Sequence, residues 1–253
     1  MKTKICILLV IVLASCGVNK RRQAEKIVQR FEEENIADKR EVVFDIQPRF
    51  EQGKLVIEGE TSDSQLKTQL LEELDEINFR DDITILPDST VGEKTFGLIN
   101  LSVANQRSAP GHSAELVTQS LMGTPVKILK KKNGWFYVQT PDKYISWIDA
   151  GGVHPITFNE LEEWKNAERI VFTGLSTEAY ESDEMNQSVT DIVLGAIVEK
   201  LGENRRGYRV KLPDDRHGFT PAENWITFEE FENRARVDSA AIVKQAGKLT
   251  GRP

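Results

Sequence analysis

Apolar residues change their spacing several times along this chain, and each spacing predicts a different element. Residues 5–14 form one unbroken apolar run behind Lys2 and Lys4. Between residues 23 and 35 the apolar positions Ile27, Val28 and Phe31 share one face of a helical period. Residues 41–47 (EVVFDIQ) and 54–60 (KLVIEGE) read instead as two strands, with a turn over 48–53 between them. Leu66, Leu70, Leu71 and Leu74 then restore a helical stripe through about residue 76, and Ser62 or Asp63 is placed to cap it. Residues 82–86 (DITIL) add a third strand, ended by Pro87-Asp88. This stretch is therefore expected to be a small β-β-α-β domain behind a leading helix.

From Phe96 onward the texture becomes short strands and turns, and it repeats. Gly123, Val126, Leu129, Val138, Pro141, Asp142 and Trp147 recur 72 residues later as Gly195, Val198, Leu201, Val210, Pro213, Asp214 and Phe219. Ile156-Thr157-Phe158 recurs 70 residues on as Ile226-Thr227-Phe228, each time before an acidic stretch of helical pattern. In the first copy, residues 124–129 and 135–140 read as strands paired across 131–134, which contains Asn-Gly, and 144–149 follow as another strand. The second copy repeats this at 196–201, 208–212 and 217–220. Five or six strands in about 60 residues suit an SH3-like barrel better than a sandwich. The expected fold class is thus mainly β with an α/β N-terminal domain: two SH3-like barrels in tandem (96–156 and 157–228) after the β-β-α-β domain (17–95), and a C-terminal helix.

Composition narrows the chemistry. Apolar residues make up 39% of the 253 and charged residues 29%, a globular balance, and only the N-terminal run is long and apolar. That excludes a multispanning helical membrane protein. A net charge of −7 argues against a nucleic-acid partner, which is usually met by a basic stripe. Two cysteines and the scattered His112, His154 and His217 offer little for a metal cage or disulfide framework, so no metal and no cofactor are expected. Trp135 begins a strand and reads as core, although Trp135 and Trp147 also fit a ligand-stacking pair. Trp164 and Trp225 flank the acidic helices and are expected to cement them to the barrels. Lys130-Lys131-Lys132 and Arg205-Arg206 fall in equivalent hairpin turns, where solvated charge is expected, with attraction to anionic wall polymers or headgroups as the other reading. The carboxylates of residues 160–163 and 229–230 ride helix surfaces.

A basic start, a short apolar core and small residues behind it describe a secretory signal, and ten apolar residues are too few for a span of about 20. Leu13-Ala14-Ser15-Cys16 resembles the lipobox of bacterial lipoproteins. The resemblance implies that residues 1–16 are signal and lipobox, and that Cys16 carries lipid as the mature N-terminus. Residues 17–22 then begin a tether, and the protein sits in the cell envelope with a membrane as partner through its anchor. Cys6 leaves with the signal and the Cys16 sulfur becomes a thioether, so no thiol remains for nucleophilic chemistry. Loss of Lys2 and Lys4 leaves 31 basic against 40 acidic residues, a net of −9. The 17–95 domain resembles the BON-like modules of secreted proteins and reads as a spacer or interaction module.

Residues 103–110 (VANQRSAP), 114–119 (AELVTQ) and 134–147 (GWFYVQTPDKYISW) resemble the first SH3-like domain of NlpC/p60 cell-wall peptidases. The likeness, to γ-D-glutamyl-L-diamino acid endopeptidases with two such domains, covers about residues 97–253. It implies that Tyr144, Trp147 and Glu115 help recognise the free amino group of the L-Ala that begins a peptidoglycan stem peptide. A carboxylate and a phenol oxygen both accept from an ammonium, which makes that role chemically reasonable. Ser146 stands where the family has glycine. Residues 238–249 (DSAAIVKQAGKL) and Thr250-Gly251-Arg252-Pro253 resemble the opening helix of the family's catalytic domain, so 229–253 reads as linker and opening helix. The family's Asp-Cys-Ser-Gly nucleophile motif is nowhere in the sequence, and no cysteine follows Cys16. No catalytic residue is therefore assigned here. The expectation is the recognition and targeting part of a murein cysteine endopeptidase, cut short before its catalytic domain. The rival expectation is a stand-alone envelope adaptor binding wall peptide or protein through its SH3-like domains.

Overall fold

The computed structural model describes residues 2–234 together with 243, 246 and 247, and of residues 2–18 the backbone course only. Helix α1 (Lys2–Asn35) joins the apolar run and the expected amphipathic helix into one element, and Ala24, Val28 and Phe31 form its buried stripe. Strands β1 (Phe44–Glu51) and β2 (Lys54–Thr61), helix α2 (Ser64–Glu73) and strand β3 (Arg80–Ile85) complete the first part. There follow β4 (Phe96–Ile99), β5 (Val103–Arg107), β6 (Leu116–Leu121), β7 (Pro125–Lys132), β8 (Trp135–Gln139), β9 (Ile145–Asp149), β10 (Val153–Ile156) and helix α3 (Phe158–Asn166). The last series is β11 (Arg169–Phe172), β12 (Ser176–Tyr180), β13 (Ser188–Val193), β14 (Ile197–Glu203), β15 (Tyr208–Lys211), β16 (His217–Thr220), β17 (Trp225–Thr227) and α4 (Phe228–Arg234). The fold is mainly β, with two large seven-stranded sheets and an SH3-like architecture, as the sequence pattern predicts. Among the described residues no helix is long and apolar enough to cross a membrane. Most of the expected C-terminal helix, 238–249, lies outside the described residues, as does the Cys16 side chain.

Cα proximity divides the chain into two units: residues 1–95 with 127–147, and residues 96–126 with 148–253. In the first, β1 pairs antiparallel with β2, and β3 returns parallel to β2 after the α2 crossover, giving the order β1-β2-β3. The expected turn at 48–53 shrinks to Gln52-Gly53, whose φ values of 49° and 81° suit the tight hairpin turn that matches strand twist. Pro48 therefore lies inside β1, opposite Ile57. It is tolerated because β1 is an edge strand, where a missing N–H need cost no ladder bond. Asp63 caps α2 by accepting from the backbone N–H groups of Gln65 (2.8 Å) and Leu66 (3.2 Å). Leu70 and Leu74 on that helix bury fully with Phe31 and Ile57. The same unit holds the β7–β8 hairpin, turned at Asn133-Gly134 with both φ values positive. Leu129 and Ile145 pack there with Val43 and Leu86.

In the second unit, β5 pairs with β6 and β10 with β4, both antiparallel, while β11–β17 form a sheet in the order β13-β12-β16-β15-β14-β11-β17. The repeated Ile-Thr-Phe segments do the same work twice. Thr157 Oγ1 accepts from Glu160 N–H at 3.3 Å and Thr227 Oγ1 from Glu230 N–H at 3.1 Å, so each threonine starts its helix. Trp164 buries with Leu98, Ile156 and Leu161, and Trp225 packs on Phe172 with ring centroids 5.1 Å apart.

Candidate functional site

Tyr144 is held by the turn that delivers it. After β8 the chain reverses through Lys143, whose φ of 69° is left-handed. The Tyr144 carbonyl accepts from the Thr140 N–H at 3.0 Å. The single Thr140 hydroxyl hydrogen goes to the closer Asp142 carboxylate, and Gln139 Nε2 donates to the carbonyls of Lys143 (3.0 Å) and Glu41 (2.8 Å). One residue on, the Ile145 N–H donates to the Arg40 carbonyl at 2.8 Å, so the backbone is fixed on both sides of Tyr144. Its side chain is half-buried. The Arg40 guanidinium is within electrostatic reach of the phenol but is already gripped by Asp38 (Nη2–Oδ2 2.7 Å). That grip holds the Asp38 carboxyl down to about 2, first through the side-chain bond to Arg40 and then through the Arg40 backbone N–H. Arg40 thus presents little net charge to a cation near Tyr144.

Trp147 points into the protein rather than outward. It is 8% exposed and stacks on Tyr137 with centroids 4.7 Å apart and planes at 29°. Lys130 lies over both rings, its Nζ 5.1 Å from the Tyr137 centroid and 5.6 Å from that of Trp147, and it pairs with Glu60. The solvated charge expected at Lys130 is corrected: its side chain is only 20% exposed, because two aromatic faces and a carboxylate replace water around the ammonium. Burial pushes the Tyr137 phenol up, and the negative charges of Glu60 and Asp45 add to that. Trp135 is core as expected, at 7% exposure, and Ser146, where a glycine was expected, is buried at 2%.

Glu115 belongs to the second unit. It stands exposed in the loop before β6, a loop closed by Ser108 N–H donating to the Glu115 carbonyl (3.0 Å) and Arg107 Nη1 donating to the Ala114 carbonyl (2.7 Å). Tyr144 and Trp147 both lie in the first unit, Tyr144 on a turn held by backbone hydrogen bonds and Trp147 in the interior against Tyr137 and Lys130. Sequence reasoning did not reach Glu60, Arg40 or the Tyr137–Lys130 contact. Glu60 lies 70 residues from Lys130, and no local period links them. Among the described residues no group of three or more His, Cys, Asp and Glu could hold a metal ion.

Residues 107–152 match the family model of the bacterial dipeptidyl-peptidase SH3 domain, a segment that includes Glu115, Tyr144 and Trp147. Several solved structures are similar to the chain. One is an NlpC/P60 family protein from Bacillus cereus, 19% identical over 53% of this chain and 56% of that one, with a TM-score of 0.42. Another is an NlpC/P60 endopeptidase from Photobacterium damselae subsp. piscicida, 11% identical over 56% of this chain and 35% of that one, also with a TM-score of 0.42. The chain thus spans little more than half the length of the first and about a third of the second. No curated protein matches it.

Proposed function

We propose that this chain is the recognition and targeting part of a lipid-anchored murein endopeptidase of the cysteine type. It holds a stem peptide by its free N-terminal L-Ala and presents it to a peptidase domain that these 253 residues do not contain. The observation that carries the reading is the match of residues 107–152 to an SH3 domain of bacterial dipeptidyl-peptidases, with Tyr144 fixed by a turn inside that segment. Tyr144 and Glu115 are the residues assigned to the free amino group, since a phenol oxygen and a carboxylate each accept from an ammonium and the charge-assisted bond is the stronger kind. Trp147 is the third residue assigned to this recognition. Cys16 carries the lipid that keeps the module at the membrane of the cell envelope.

Calorimetric titration of the chain with L-Ala-γ-D-Glu-diamino acid tests the recognition. Binding is expected, with loss in Tyr144→Ala and Glu115→Ala and with an N-acetylated peptide. No heat with the free-amino peptide, or equal affinity after acetylation, overturns it and leaves the adaptor reading. Radiolabelled palmitate fed to expressing cells is expected to label the chain and not Cys16→Ser.

A further inference from the structure

The first unit contains a recess of about 500 Å³ that the candidate site does not use. Lys20 of α1, Phe50 of β1, Lys54 of β2 and the segment Asn78-Phe79-Arg80 line it. Phe50 and Phe79, half-buried against the unit's core, give it apolar wall. Its free charge is positive. Lys20 and Lys54 are exposed, and among the described residues neither carries a side-chain hydrogen bond or ion pair; nor does the Asn78 amide. Arg80 adds no free charge, because Glu51 (2.6 Å) and Asp82 (3.5 Å) already hold it. Among the described residues no carboxylate lines the recess. This local sign opposes the chain's net charge of −7. No Asp or Glu precedes Glu25, and that first acid is taken by Arg21 at 2.7 Å.

We propose that this recess receives the headgroup of an anionic phospholipid and holds this end of the first unit against a membrane surface. The headgroup phosphate meets the Lys20 and Lys54 ammonium groups and the Asn78 amide, and the two phenylalanines contact the glycerol and the start of an acyl chain. Unpaired, exposed ammonium groups call for an anion. Aromatic wall beside them calls for an amphiphile rather than a bare ion. The volume lies within the roughly 300–1,000 Å³ of small-molecule sites. Position supplies the membrane. Lys20 follows Cys16 on the same helix, about 6 Å farther along its axis at 1.5 Å per residue. That is less than the Debye length of about 8 Å at physiological salt, so the Lys20 charge is felt at a surface that meets residue 16. The inference rests on the lipid-anchored reading for where the membrane lies, whereas the recess itself needs no lipid on Cys16 to bind.

The test uses the full chain with Cys16→Ser, so that attached lipid plays no part. Co-sedimentation is measured with vesicles of phosphatidylcholine alone and of an equal mixture of phosphatidylcholine and phosphatidylglycerol. The apolar run of residues 5–14 gives a background on both, and the ratio of the two affinities isolates the charge. The ratio is expected to favour the anionic vesicles and to fall about fivefold in Lys20→Gln and in Lys54→Gln, with binding to neutral vesicles unchanged. Lys94→Gln removes the same charge from an exposed lysine of the first unit outside the recess and is expected to leave the ratio as it was. No preference for anionic vesicles, an undiminished ratio in both recess variants, or an equal fall in Lys94→Gln overturns the proposal. So does loss of the preference in millimolar glycerol phosphate at matched ionic strength, which would assign the recess to a soluble phosphate ester. Palmitate labelling reports the anchor separately, so failure here is distinguishable from failure of the anchored reading.

Discussion

Lys130 and Glu60, 70 residues apart in sequence, form an ion pair in which the side chains are only 20% and 24% exposed. Beneath the ammonium lie the stacked faces of Tyr137 and Trp147, so the pair joins β2 to the interior of the β7–β8 hairpin. A pair this sheltered is worth more than an exposed one, and breaking it leaves a poorly hydrated charge. Lys130→Met keeps the aliphatic stem over the rings and removes only the charge, while Glu60→Gln removes the other half. Each is expected to destabilise by about 1–2 kcal/mol, with a coupling of about 1 kcal/mol between them. Urea unfolding of the two singles and the double measures it. Simple additivity of the singles would show that the pair contributes nothing of its own.

Tyr137 titrates against this background. Burial, then Glu60 and Asp45, raise its phenol above the usual value of about 10. A raised folded value means that the native state holds the proton more tightly than the unfolded chain. The stabilisation is therefore fully present below pH of about 10 and is lost as pH rises through the higher folded value. Phenolate absorbance followed against pH should show one tyrosine ionising late, and Tyr137→Phe should remove that step. Glu60→Gln should bring it only part of the way down, because burial is the larger cause.

The two barrels share a bulge but not its consequence. Register slips between Ile128 and Lys130 in β7 and between Lys200 and Gly202 in β14, so Leu129 and Leu201 are the extra residues of equivalent strands. Leu129 is fully buried with Val43 and Leu86, whereas Leu201 is 40% exposed. Leu129→Ala is expected to cost about 2–4 kcal/mol and Leu201→Ala less than about 0.5 kcal/mol. Denaturation midpoints of the two variants check this, and similar costs would contradict it.

That contrast marks how far the sequence could be read. The 72-residue repeat, a turn within 48–53 and the Asn133-Gly134 hairpin were legible because turns and strand period are local properties. What covers Leu129 and what neutralises Lys130 were not, since Leu86 and Glu60 reach them through tertiary folding. Pro48 misled for the opposite reason: proline ends most strands, and only the position of β1 at the sheet's edge spares it. In the candidate site, Tyr144 was visible through its motif, but the Asp38–Arg40 pair beside it carried no signal in spacing.

Gly123 and Gly195 occupy matching turns, with φ of 80° and 89°, and their N–H groups donate to Ile99 and Phe172 carbonyls, both at 2.8 Å. Either would strain an L-residue by about 1–2 kcal/mol. Their surroundings differ. A Cβ on Gly123 would lie 2.3 Å from the Ile197 carbonyl oxygen, a backbone atom fixed by its own N–H donating to Met122 at 2.9 Å. On Gly195 it would meet only the Leu121 Cδ1 at 2.8 Å, the movable end of a side chain. Gly195→Ala is thus expected to lose little beyond the left-handed strain, and Gly123→Ala at least about 3 kcal/mol, because backbone must move. Thermal unfolding of the two alanine variants separates them. Equal losses would mean that conformation alone, and not the close approach of Ile197, requires glycine at position 123.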